Sequence, residues 1–120
     1  MKTLSTLFTA IVAALHAWFM TAEMFLWTHP IGRKMFGTSA AFAEQSSVLA
    51  ANQGLYNGFL VAGLLWGMLA KKRDLVVFFL VCVVVAGIVG ALTLKPTVFV
   101  VQSAPALLAL GFLWAAGRRR

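Results

Sequence analysis

Four apolar runs of about 20 residues each, broken by short charged or proline-bearing stretches, constrain this chain more than any other feature. They cover residues 4–27, 47–70, 75–94 and 97–117. An α-helix rises about 1.5 Å per residue, so about 20 apolar residues cross a hydrocarbon layer of about 30 Å. Hydrocarbon offers no partner to backbone N–H and C=O groups, which leaves the helix as the form such runs take there. The third run, rich in Val and Phe, would suit a strand in water, but its length and its neighbours make it a helix. The expected fold is all-α: one transmembrane domain over residues 1–120, an antiparallel bundle of four transmembrane helices at about 4–27, 47–70, 75–94 and 97–117, with an outer loop at 28–46.

Composition agrees with this class. Hydrophobic residues make up 62% of the 120 and charged residues 11%, against about 45–50% and about 25% in soluble domains. The formal charge of +7 does not indicate nucleic acid, because the cations lie between and beyond the apolar runs instead of on one solvated face. Their expected partner is the lipid bilayer, as topology determinants that touch anionic headgroups. A single cysteine, Cys82, excludes an intrachain disulfide and reads as a small apolar packing residue. Lys2 ahead of an apolar stretch also describes a signal peptide. The run overshoots a signal's length, lacks a small-x-small cleavage site and contains His16, so a retained helix is expected.

The longest connection carries the breakers Pro30, Gly32 and Gly37. Met35, Phe36 and Phe42 suit an interfacial segment, and Thr38 or Ser39 is placed to cap a helix that continues into the second span. Seven of the ten Lys and Arg residues (Lys2, Lys71, Lys72, Arg73, Arg118, Arg119, Arg120) fall on one side and three (Arg33, Lys34, Lys95) on the other. Both termini are therefore expected in the cytoplasm. Trp27, Trp66 and Trp114 fall near span ends, where tryptophan anchors at the interface.

The stretch Asn52-Gln53-Gly54-Leu55-Tyr56-Asn57-Gly58 sets three amides and a phenol inside the second apolar run. A polar group facing lipid there costs several kcal/mol, so protein, trapped water or a ligand is expected around it. With the topology above, Glu23, Gln53, Asn57 and Gln102 lie roughly 6, 9, 15 and 8 Å inside the outer ends of three different spans. His16 lies roughly 16 Å in, near the midplane. His16, Met20, Glu23, Met24 and Trp27 share one helical stripe, and Gln53, Tyr56 and Asn57 share another. The sequence thus predicts a ligand or proton pocket made of Glu23, His16, Gln53, Tyr56, Asn57 and Gln102.

Gly54 with Gly58 and Gly63 with Gly67 form two small-xxx-small pairs, and Pro105 frees the carbonyl of Val101 beside Gln102. One of the glycine pairs is expected to face a second copy, giving a homo-oligomer. Each polar residue also has a plainer reading: Glu23 as an interfacial carboxylate, His16 as a packing residue, and the amides as interhelical hydrogen bonds. His16 and His29 match no metal or haem spacing, and no phosphate loop, Ser-His-Asp set or carboxylate pair is present. No metal and no cofactor is expected, and no catalytic residue can be assigned.

The arrangement His16-x3-Met20-x2-Glu23-Met24-x2-Trp27, then Gln53-Gly54-Leu55-Tyr56-Asn57-Gly58-Phe59-Leu60, then Cys82 with Ala86-Gly87-Ile88, then Gln102-x2-Pro105-Ala106 resembles the bacterial membrane proteins grouped as domain of unknown function 1304. The resemblance implies a small multi-pass protein of the bacterial inner membrane and assigns no activity. A similarity of architecture alone links the chain to the membrane-associated eicosanoid and glutathione metabolism enzymes, whose Arg-x-x-x-Asn-x-x-Glu signature the second span lacks. Binding or transport of a small molecule or protons is the leading expectation. An integral-membrane enzyme acting on a lipophilic substrate and a structural bundle subunit are the alternatives.

Reporter fusions at the amino end, at the Lys71 turn and at the carboxyl end should all report cytoplasm. A periplasmic signal from any of the three would undo the shared depth of Glu23, Gln53 and Gln102.

Overall fold

The computed structural model describes residues 2–118, all of whose regular structure is helical. In chain order the elements are α1 (Lys2–Phe25), α2 (Pro30–Phe36), α3 (Ala40–Gln45), α4 (Ser47–Leu69), α5 (Arg73–Thr93), a π-helical turn (Phe99–Ser103) and α6 (Ala104–Arg118). Four helical stretches are long and apolar enough to cross a membrane: Lys2–Phe25, Ser47–Leu69, Arg73–Thr93 and Phe99–Gly117. In each, 28% or less of the most apolar window is buried inside the chain. Most of the apolar surface therefore points outward, a distribution that water would penalise and hydrocarbon accepts. Arg119 and Arg120, two of the cations used for the expected topology, lie outside the described residues.

The chain divides into two compact units, Met1–Ala14 with Ala62–Arg120, and Leu15–Val61. In the first, glycine decides where helices meet. A Cβ added at Gly63 would lie 2.3 Å from the Phe79 ring, and one at Gly67 would lie 2.7 Å from Val76 Cγ2. The first part of α5 thus lies against the end of α4 at both glycines. Gly87 is tighter still, with Ser103 Oγ 2.0 Å and Ser103 N 2.9 Å from the position its Cβ would take. The hydroxyl of Ser103 donates to the carbonyl of Val84 at 2.9 Å, and Gly90 receives Val98 one turn on. Phe8 of α1 stacks on Phe112 of α6 with centroids 5.4 Å apart.

The turn between α4 and α5 is closed by Lys72 N–H donating to Gly67 O at 2.8 Å. It holds Lys71 at φ 55°, a left-handed conformation that costs a non-glycine residue about 1–2 kcal/mol. Arg73, at the start of α5, reaches α6, where its Nη2 donates to the carbonyl of Leu113 at 3.2 Å. A cation there caps a carbonyl near the end of α6, where the helix dipole favours positive charge. At the start of the last span, the irregularity expected from Pro105 takes the form of the π-helical turn. The N–H of Ala104 reaches back to the carbonyl of Phe99, one residue further than in an α-helix, just before the proline that cannot donate at all.

In the second unit the 28–46 connection is built from α2 and α3, each with its own caps. His29 Nδ1 accepts from Ile31 N–H at 3.1 Å, Pro30 opens α2, and Gly37 at φ 67° ends it with its N–H on Arg33 O. Gly32 is buried, and a side chain there would place Cβ 1.9 Å from the carbonyl oxygen of Leu26. Ser39 caps α3 by accepting from Phe42 N–H at 3.1 Å. That helix stops at Gln45 and does not run on into the second span: Ser46 interrupts it, donating its hydroxyl to Phe42 O at 2.6 Å. The same hydroxyl accepts from the indole N–H of Trp27 at 3.0 Å, and the Trp27 ring meets Phe36 at 4.9 Å. Trp27 therefore spends its polar edge inside the protein, whereas Trp66 and Trp114 are exposed at 57% and 61%, as interfacial anchors require.

Gly87→Ala should destabilise the protein by about 1–3 kcal/mol, because Ser103 presents backbone as well as side chain and has no room to retreat. Gly111, whose Cβ would meet nothing within 4 Å, is the control, and Gly111→Ala should be neutral or stabilising by up to about 1 kcal/mol. Unfolding in mixed micelles reads both, and equal effects would contradict the packing described.

Candidate functional site

Two glycines make the site by omission. A Cβ at Gly54 would lie 2.5 Å from Met24 Cγ and 3.0 Å from the backbone oxygen of Met20, and one at Gly58 would lie 3.0 Å from Met20 Sδ. The second half of α1 consequently lies against the first half of α4 with little side chain between them. Both glycine pairs of α4, Gly54 with Gly58 and Gly63 with Gly67, thus meet side chains of their own chain.

At this close approach Glu23 faces Asn57. The amide Nδ2 of Asn57 donates a hydrogen bond to Oε1 of Glu23. Asn57 is buried and Glu23 half-buried. The other polar atoms of the pair, Oε2 and Oδ1, take no hydrogen bond from the described residues. His16 is fully buried two turns deeper on α1, with its ring edge-on to Phe19 at 5.3 Å. Asn57, Gly54 and Gly58 recur three and four residues apart and turn toward α1, as a helix repeat of 3.6 requires.

The stripe expected to hold Gln53, Tyr56 and Asn57 together divides at this point. Gln53 is exposed, and so is Tyr56, whose ring sits edge-on to Phe59 at 5.6 Å. Each precedes an inward-facing residue, Gly54 or Asn57, and is rotated by about 100° from it, enough to leave the contact face. Asn52 is also exposed and satisfies its Nδ2 on Val48 O at 2.9 Å within its own helix. Gln102 belongs to the other unit, half-buried on the π-helical turn, and Pro105 follows it in α6. Among the described residues no three His, Cys, Asp or Glu side chains come together as metal ligands would.

Two contacts here escaped sequence reasoning. The bond from Trp27 to Ser46 carried no signal, because both residue types are common at span ends. The contact of His16 with Phe19 was in principle legible, since residues three apart share a helix face. Chemically, a carboxyl group held by one amide can accept a proton or a cation, and a buried imidazole on the same helix can do the same.

Residues 10–114 match the protein family described as "Protein of unknown function (DUF1304)". The chain is also 27% identical over 114 residues to a protein of Lactococcus lactis subsp. lactis (strain IL1403) described as uncharacterized protein YpaA, covering 92% of this chain and 96% of that one. No solved structure matches.

A double-mutant cycle of Glu23→Ala and Asn57→Ala in a bilayer mimetic should give a coupling of about 0.6–1.7 kcal/mol, the range of interhelical hydrogen bonds in membranes. Strict additivity would show that the pair contributes nothing to stability.

Proposed function

Because the chain belongs to the family of proteins of unknown function DUF1304, kinship brings no activity with it, and we propose a role from the carboxyl and amide shared by α1 and α4. The protein is a binding or transport protein of the bacterial inner membrane. Its four spans form an antiparallel bundle with both termini in the cytoplasm, and its site takes up protons or a small polar molecule. Glu23 is the titrating group, Asn57 orients its carboxyl, and His16 is a second proton acceptor deeper on the same helix. Tyr56 and Gln53 flank the entrance.

One observation supports this reading above the others. A carboxyl side chain lies within an apolar span and is held by an amide from a neighbouring span. Keeping an acid in hydrocarbon is expensive, so such acids concentrate where a protein moves or binds charge. The inward bias of Lys and Arg supports the orientation. A purely structural pair would work as well with an amide in place of the acid, which gives the test.

Purified protein is reconstituted into liposomes containing a pH-sensitive dye, and a potassium diffusion potential is applied. The native protein should acidify or alkalinise the lumen several-fold faster than empty vesicles. Glu23→Gln, which can still pair with Asn57, should abolish that flux while leaving thermal stability near native. Native flux equal to that of empty vesicles would remove the proton reading. A Glu23→Gln variant with native flux would reduce the pair to helix packing.

A further inference from the structure

The α4–α5 turn and the start of α5 carry a second feature, wholly inside the unit that does not contain Glu23. Lys71, Lys72 and Asp74 rim an open cleft of about 860 Å³ whose floor is Val77, Phe78 and Val81. The floor is a helical stripe: positions 74, 77, 78 and 81 recur at three and four residues, so the apolar side chains descend in line below the charged rim. From Asp74 to Val81 that stripe runs about 10 Å along the helix. Phe78 is 61% exposed and Val81 45%, so the stripe is uncovered by the rest of the chain.

The charges are not equivalent. Arg73 is occupied, its guanidinium donating to the carbonyl of Leu113. Asp74 is also occupied, accepting from the N–H of Leu75 at 3.0 Å. Lys71 and Lys72 are exposed at the rim. Lys71 moreover holds the left-handed conformation of the turn, where glycine would be relaxed. A lysine kept at a strained position points to a use for its ammonium group.

We propose that this cleft is a binding site for one anionic phospholipid: the headgroup phosphate lies between Lys71 and Lys72, and an acyl chain lies along Val77, Phe78 and Val81. Two properties select this occupant. The rim carries two exposed lysines against one aspartate, and this positive balance favours a phosphate over a cation or a neutral headgroup. The floor is apolar and continuous with a membrane-spanning helix, which favours a tethered hydrocarbon chain over a soluble phosphate.

Native mass spectrometry of the whole protein, released from micelles doped with equal phosphatidylglycerol and phosphatidylcholine, tests the site directly. Native protein should retain one phosphatidylglycerol per chain in preference to phosphatidylcholine. The double variant Lys71→Gln/Lys72→Gln should lose that preference at least about tenfold, as expected for two cations at a lipid surface. Phe78→Ala should weaken retention of both lipids. Lys34→Gln, in α2 of the other unit, should change nothing. Lys71→Gly, which relaxes the turn while deleting one charge, separates folding from binding: it should be at least as stable as native and still bind phosphatidylglycerol more weakly. Equal retention of the two lipids, or a double variant that binds as native does, would overturn the proposal. Displacement of the bound lipid by millimolar glycerol phosphate would also overturn it, by assigning the rim to a soluble phosphate.

Discussion

A hydrocarbon layer supplies no hydrogen bonds, and the polar groups of this chain are arranged around that lack. The side-chain hydroxyls of the spans turn back on their own helices: Ser5 to Lys2 O, Thr9 to Ser5 O, Thr21 to Ala17 O and Thr93 to Val89 O, all between 2.7 and 2.9 Å. Asn52 does the same with an amide. Such groups are polar by composition and quiet in practice. Against that background, the polar contacts that leave one helix for another are few enough to be informative. Ser103 reaches α5, Trp27 reaches Ser46, Asn57 reaches Glu23 and Arg73 reaches the carbonyl of Leu113. Of these, the contact of Asn57 with Glu23 places a carboxyl group inside an apolar span.

Glycine determines where those cross-helix contacts fall. Without a hydrophobic force between helices already in lipid, close approach is favoured by dispersion between backbones, and a missing Cβ permits it. Gly54 and Gly58 bring Met20 and Met24 close and leave Glu23 level with Asn57. Gly87 lets Ser103 come near enough to bond the carbonyl of Val84. At these two places a polar contact and an absent side chain coincide, and a change at either is a change at both.

The four long helices were legible in the sequence because a run of about 20 apolar residues has one solution in hydrocarbon. The facing of Glu23 and Asn57 was legible too, from depth and helical phase, since both follow from a fixed rise and a fixed turn. The orientation of Gln53 and Tyr56 was not. One residue is about 100° of helix, so two neighbours can both fit a stripe drawn from spacing while only one fits the groove that glycine opens. The glycine pairs were legible as places of close approach, while sequence does not show which side chains approach them. The partner of Ser46 was hidden because Trp27, whose indole N–H its hydroxyl accepts, lies 19 residues away in the chain. For Gln102 the sequence supplied a depth, while the structure adds a local setting, the widened turn ahead of Pro105.

That widened turn amounts to one extra residue threaded into a helix without lengthening its path to match. A single surplus residue turns everything beyond it by about 100° relative to a regular helix. The face that Ser103, Ala106 and Ala109 bury is therefore chosen by the insertion as much as by their own chemistry.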